Sequence, residues 1–297
     1  MSGFSRTLRY RVEAVMVHGL SAFLRLLPLS GVRALGAMLG RLIYSVDGFH
    51  RRLAMTYIGL ALPSKPIAER RAIVRRVFAH FGSVLFELIR VGTLSDEQIL
   101  ASIEIEGEER VRQAHAKGHG VLLFTGHFGY WEMGAFALAM RVQPIAVMAR
   151  PLDNPYVHNM LERIRTRNGN SVIYRQGAIR KVLQALAANR GVAILIDQHL
   201  HTPDAVYVDF FSRPAATTNA LAALALRTGA PVIPAFILPL PKGRYRVIFE
   251  HAVEPPTTDS PDAVREFTQR CTDVLEMYIR RHPDLWLWMH RRWRVSV

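Results

Sequence analysis

His127 and Glu132 stand five positions apart in TGHFGYWE, residues 125–132. An imidazole is a competent base near neutral pH. A carboxylate beside it can fix its tautomer and stabilise the imidazolium that forms. Such a pair can take the proton from a hydroxyl. No serine or cysteine lies between His127 and Glu132, so the attacking nucleophile would belong to the substrate. The bland reading of the same residues is a capped strand-to-helix turn with a solvated histidine and glutamate.

Other side chains can join that centre. Arg150 opens RPLDNP at 150–155, and a guanidinium binds phosphate or carboxylate in bidentate fashion. Its alternative is an ion pair with Asp153. Arg163, Arg165, Arg167, Arg175, Arg180 and Lys181 follow, so residues 150–181 carry seven basic side chains against Asp153 and Glu162. A run like this is usually a solvated face; beside a phosphorylated substrate it becomes an anion cradle. Asp197 closes an apolar run and reads as a residue that orients the site or its loop. His199 and His201 would need further ligands to hold a metal, and no HExxH or carboxylate cluster supplies them. Neither metal nor cofactor is expected. VYVDFF at 206–211 reads as core, with an acyl slot as the sharper alternative. Trp286, Trp288 and Trp293 share the tail with Arg291, Arg292 and Arg294. That mixture suits a membrane interface or nucleic-acid stacking, and equally a tail packed back on the domain.

The elements that must position these residues are legible in the apolar pattern. Val121–Phe124 is a short apolar run that ends at Thr125-Gly126, a buried strand. Further strands are expected at 103–106, 145–149, 171–174, 192–196, 232–238 and 244–249. Helices are expected at 50–62, 66–91, 108–117, 135–141, 155–167, 177–189, 217–228 and 261–281. Alternation on this scale predicts an α/β fold, a mostly parallel central sheet flanked by helices. Loops at the carboxyl ends of such strands form the site. His127, Arg150 and Asp197 each follow a strand directly and should face one cleft.

The chain has 297 residues, half of them hydrophobic, with a formal charge of +14. That composition excludes a disordered protein and suggests an anionic partner. The lone cysteine, Cys271, excludes an internal disulfide framework. Residues 14–24 are apolar apart from His18, but arginines interrupt the pattern before it reaches the length of a spanning helix. Residues 1–46 therefore read as an apolar helical membrane-associating segment lying in the interface, with Arg25, Arg33 and Arg41 toward headgroups, or equally as a helical hairpin packed on the domain, two compatible readings. Residues 47–297 read as the catalytic domain. No RNA-recognition, zinc-finger or helix-turn-helix pattern supports a nucleic-acid partner. A non-catalytic membrane-surface scaffold is the remaining competitor.

Seven pieces, in order, resemble the late acyltransferases of bacterial lipid A biosynthesis, a branch of the lysophospholipid acyltransferase superfamily. They are TGHFGYWE at 125–132, RPLDNP at 150–155, the Arg-rich helix ending in Gly169, GVAILIDQ at 191–198, VDFFSRPAATT at 208–218, LALRTGAPVIP at 224–234 and HPDLWLWMHRRWR at 282–294. The resemblance implies a glycerolipid acyltransferase-like fold at the cytoplasmic face of the inner membrane. It implies transfer of an acyl chain from an acyl carrier protein to a hydroxyl of a phosphorylated glycolipid, a lipid A precursor or a relative. His127 and Glu132 fall on the family's H-x4-D/E motif as the catalytic pair. Arg150, Arg165 and Asp197 fall on positions near the site, read as substrate-binding. Gly126 and Gly129 would let backbone N–H groups approach the oxyanion. Mannoside and aminolipid acyltransferases share these motifs, so the acceptor does not follow from them.

Overall fold

Strand and helix alternate from residue 103 onward, and a helical N-terminal third precedes them. The computed structural model describes residues 3–174, 176–200, 205–256 and 262–293; Arg175, His201 and Arg294 lie outside the described residues. Four helices come first: α1 (Gly3–Arg25), α2 (Leu29–Val46), α3 (Gly48–Ala61) and α4 (Ile67–Val91). Next come α5 (Asp96–Ala101), β1 (Ile103–Glu106), α6 (Glu108–Ala116), β2 (Val121–Thr125), α7 (Trp131–Arg141), β3 (Ile145–Ala149) and α8 (Pro155–Thr166). They are followed by β4 (Ser171–Tyr174), α9 (Ala178–Ala187), β5 (Gly191–Leu195), β6 (Ala205–Asp209), β7 (Pro214–Thr218) and α10 (Ala220–Thr228). The chain closes with β8 (Val232–Pro239), β9 (Tyr245–Phe249) and α11 (Ala263–Arg281).

Seven strands form one sheet in the order β1-β9-β8-β2-β5-β3-β4. Every neighbouring pair is parallel except β8 with β9. The apolar runs of β2 and β8 follow from their central place, because helices cover both faces. Leu122 and Phe124 pack with α9, α10 and α11, while Val121 and Leu123 pack with α6, α7 and α8. The expected strands and the α/β class are therefore as read from the pattern. One helix differs: it begins at Ala220, not 217, because residues 214–218 pair antiparallel with 205–209 in a hairpin. β-Branched Thr217 and Thr218 suit that strand better than a helix start.

The N-terminal helices are docked on the domain. Gly36 and Gly40 of α2 meet Gly82 of α4 so closely that a Cβ on Gly40 would lie 2.0 Å from the Phe78 carbonyl oxygen. Small residues at a helix crossing let the backbones approach in this way. Arg33 is turned inward, contrary to the expectation that it reaches headgroups. Its Nε donates to Glu87 at 2.7 Å, and its guanidinium lies 4.3 Å from the centre of the Tyr245 ring. The boundary expected at residue 46 coincides with the end of α2, but α2 itself is seated on α4. No helix among the described residues is long and apolar enough to cross a membrane.

The tail is also core, not interface. Trp286, Trp288 and Trp293 are buried, and Arg292 is buried with them, donating to the Ala216 carbonyl at 2.7 Å. Phe210 stacks on Trp293 and Phe211 packs beside Trp288, so VYVDFF also serves the core. Cys271 lies buried on α11, where burial pushes its thiol up to about 12.

Candidate active site

The strand order makes β2, β5 and β3 neighbours, so the residues that follow them share one end of the sheet. His127 lies two residues past β2, Asp197 two past β5, and Arg150 directly past β3. The turn after β2 depends on glycine at two places. Gly129 has φ +59°, and a Cβ there would lie 1.8 Å from the Ile237 carbonyl oxygen. At Gly126 the obstacle is Asp197, whose Oδ2 sits 3.0 Å from where a Cβ would be. Glycine thus lets the carboxylate close on the loop.

Asp197 is the carboxylate in contact with the histidine. Its Oδ1 accepts from His127 Nδ1 at 2.9 Å, and its Oδ2 accepts from the His127 backbone N–H at 2.7 Å. A carboxylate can only accept here, so Nδ1 carries the ring proton and Nε2 keeps its lone pair. Nε2 points toward exposed Gln198, whose amide nitrogen is 3.5 Å away, too far to take that lone pair. Burial alone would oppose charging the ring. The charge and hydrogen bond of Asp197, with the charge of Glu132, outweigh it and raise the His127 pKa. Burial likewise opposes the Asp197 charge, but the His127 ring and its N–H, with Trp286, hold that carboxyl down to about 2. The ring also meets Trp131 edge-on at 5.2 Å.

Glu132 sits in the first turn of α7, buried, and is held by Arg165 of α8. Arg165 Nε donates to Oε2 at 3.1 Å and a second guanidinium nitrogen donates to Oε1. Glu132 therefore acts on His127 through its charge, while the tautomer expected of it is set by Asp197. Gly129 is not a free oxyanion donor: its N–H donates to the Leu285 carbonyl at 2.9 Å. Arg150 is exposed and forms no ion pair with Asp153. The basic run divides. Arg163 and Arg167 line a separate groove of about 640 Å³ between α1, α4 and α8, on another face of α8 from Arg165. Arg180 and Lys181 are exposed on α9, in the opposite helical layer. No cluster of metal-ligating side chains occurs among the described residues.

Two contributors were not read from the sequence as site residues. Trp286 donates its indole N–H to Asp197 Oδ2 at 2.9 Å, inside the tail whose composition suggested an interface. His80 of α4 donates from Nε2 to the Gly129 carbonyl at 3.1 Å, and burial lowers its pKa to about 4. Nothing in the local spacing signals either one. The Trp-rich tail was the only hint, and it needed a partner 89 residues away to be read.

Comparison with known proteins shows the family. Residues 1–295 match the family described as bacterial lipid A biosynthesis acyltransferase. The lipid A biosynthesis lauroyltransferase of Escherichia coli is 27% identical over 91% of this chain and 87% of its own length. The myristoyltransferase of the same organism is 25% identical over 85% of this chain and 78% of its own. A phosphatidylinositol mannoside acyltransferase of Mycobacterium tuberculosis is 25% identical over 73% of this chain and 69% of its own.

Proposed function

The chain belongs to the bacterial lipid A biosynthesis acyltransferase family and is an O-acyltransferase, and on that premise we propose the reaction its site performs. It moves a fatty acyl chain from the thioester of an acyl carrier protein to a hydroxyl of a phosphorylated lipid A precursor. The observation that carries this reading is the His127 ring, fixed through Nδ1 by Asp197 with Nε2 toward exposed Gln198. The acceptor hydroxyl gives its proton to Nε2 as its oxygen attacks the thioester carbonyl. The C–S bond breaks, and the imidazolium returns that proton to the departing thiolate. An ester and a free thiol result, with no covalent enzyme intermediate, because the thioester is already activated. Base catalysis of this kind contributes roughly 10²–10⁴-fold. Arg150, exposed directly past β3, is the candidate ligand for an acceptor phosphate.

The enzyme works at the cytoplasmic face of the inner membrane. Supporting this, α1, α2 and the turn between them expose Val12, Val15, Met16, Phe23, Leu26 and Leu42. Apolar side chains flanked by arginine suit the headgroup boundary. The net charge of +14 favours encounter with an acidic carrier.

Two measurements test the reading. Mass spectrometry of membrane lipids with and without the gene should show a loss of one acyl chain from lipid A. Loss from another lipid class would overturn the acceptor. Transfer from acyl carrier protein should slow as salt rises; salt-insensitive use of acyl-CoA alone would overturn the donor.

A further inference from the structure

The segment after α11 returns to the catalytic loop and pairs with it like an extra strand. Gly129 N–H donates to the Leu285 carbonyl at 2.9 Å, and Leu287 N–H donates to the His127 carbonyl at 3.1 Å. Phe128 and Trp286 face each other in an antiparallel bridge between those two bonds. The strap is itself anchored at both ends. Asp284 meets Arg76 of α4 at 3.2 Å, and Arg292 donates to Thr217 Oγ1 of β7 at 2.6 Å. Trp286, only 1% exposed, packs edge-on against Trp288 and Phe210, so its ring has no freedom to turn away. Its N–H ends on Asp197 Oδ2, the oxygen that also receives the His127 backbone N–H.

We infer that Trp286 is a positioning residue for acyl transfer: its indole N–H occupies Asp197 Oδ2, leaves Oδ1 to the His127 ring, and sets how firmly that carboxylate holds the ring proton. Two fixed N–H donors on one oxygen orient the carboxyl group and lower its basicity. Without the indole donor, Asp197 can rotate. Its charge then falls more fully on the ring, so the imidazolium is favoured and Nε2 is protonated over a wider pH range. Other charges face this pair: Glu132 from α7, held by Arg165 of α8, and His290 and Arg292 from the strap. None of them bonds to Asp197 Oδ2. The inference rests on His127 acting as the base.

The test uses the full chain in detergent micelles. Trp286→Phe removes the donor and keeps an aromatic ring; Trp286→Tyr restores a hydroxyl donor. Nitrogen NMR of histidine-labelled protein reads the His127 titration directly, and a pH–rate profile is recorded in parallel. Trp286→Phe should raise the His127 midpoint by roughly half a unit and cut turnover about three- to tenfold, with Trp286→Tyr recovering part of both. The acid limb of the rate profile should move with the midpoint. An unchanged midpoint in a folded Trp286→Phe protein, or a loss confined to melting temperature, overturns the inference. Should the Phe variant not fold, the benzothiophene analogue of tryptophan at position 286 keeps the shape and lacks only the N–H; the same readouts apply. A midpoint that shifts while the rate limb stays put removes His127 as base, and with it the role of Trp286 in acyl transfer.

Discussion

Arg165 closes on both carboxylate oxygens of Glu132, and neither side chain is more than one-fifth exposed. The acidic residue of the H-x4-D/E motif is therefore tied across to α8, 33 residues on, rather than to the histidine of its own motif. Removing either partner leaves a buried charge uncompensated, which typically costs about 3–5 kcal/mol. Arg165→Ala and Glu132→Gln should each lower stability and turnover. The double variant should lose much less than the sum, which a double-mutant cycle in denaturant would measure. Additive losses would separate the pair.

His127→Ala should lower turnover by about two to four decades, with some loss of melting temperature because buried Asp197 is left without the ring N–H. Thermal denaturation of the variant, run beside the rate measurement, shows that the fold is retained.

Gly40→Ala should destabilise by about 1–3 kcal/mol or more, because the added Cβ would meet the Phe78 carbonyl oxygen of α4. Gly19→Ala on α1 is the matched control: nothing lies within 4 Å of its new Cβ, and helix propensity favours alanine by about 1 kcal/mol. Urea midpoints of the two variants should move in opposite directions.

Stability should fall on the acid side through His80. Burial holds its folded pKa at about 4 against an ordinary value of 6.5. The unfolded chain takes up the proton below about 6.5 and the folded protein does so only near 4. The contribution is thus complete above 6.5 and is lost as pH falls toward 4, up to about 3 kcal/mol in all. His127 works in the opposite sense: its raised pKa adds stability below 6.5 that fades as pH rises through the folded value. Melting temperature against pH should therefore drop less steeply between 6.5 and 4 in His80→Gln than in the parent.

Val15→Asp combined with Phe23→Asp should abolish flotation with anionic liposomes while leaving the melting temperature unchanged, since both side chains are exposed on α1. Deleting residues 1–46 is a different experiment. It strips α2 from α4 and leaves buried Glu87 without Arg33, so stability should fall as well.

The alternation of apolar runs determined the sheet, because a strand covered on both faces must be apolar along its length and β2, β5 and β8 are. It also determined that His127, Arg150 and Asp197 follow strands and lie at one end. The pattern is local, and so is what it conveys. Which carboxylate reaches His127 depends on β5 lying next to β2, a neighbour relation between residues 70 apart. Only the packed chain could decide between Asp197 and Glu132, since both are acidic and both lie near the motif's end of the sheet. The hairpin at 205–218 was half legible: Val206–Phe211 reads as apolar, but PAATT becomes a strand only because β6 is there to pair with it. The tail shows the same limit from the other side. Tryptophan and arginine in one segment fit a membrane as well as a core. The choice fell to Phe210, Thr217 and Asp197, which supply the stacking surface and the acceptors that bury Trp293, Arg292 and Trp286.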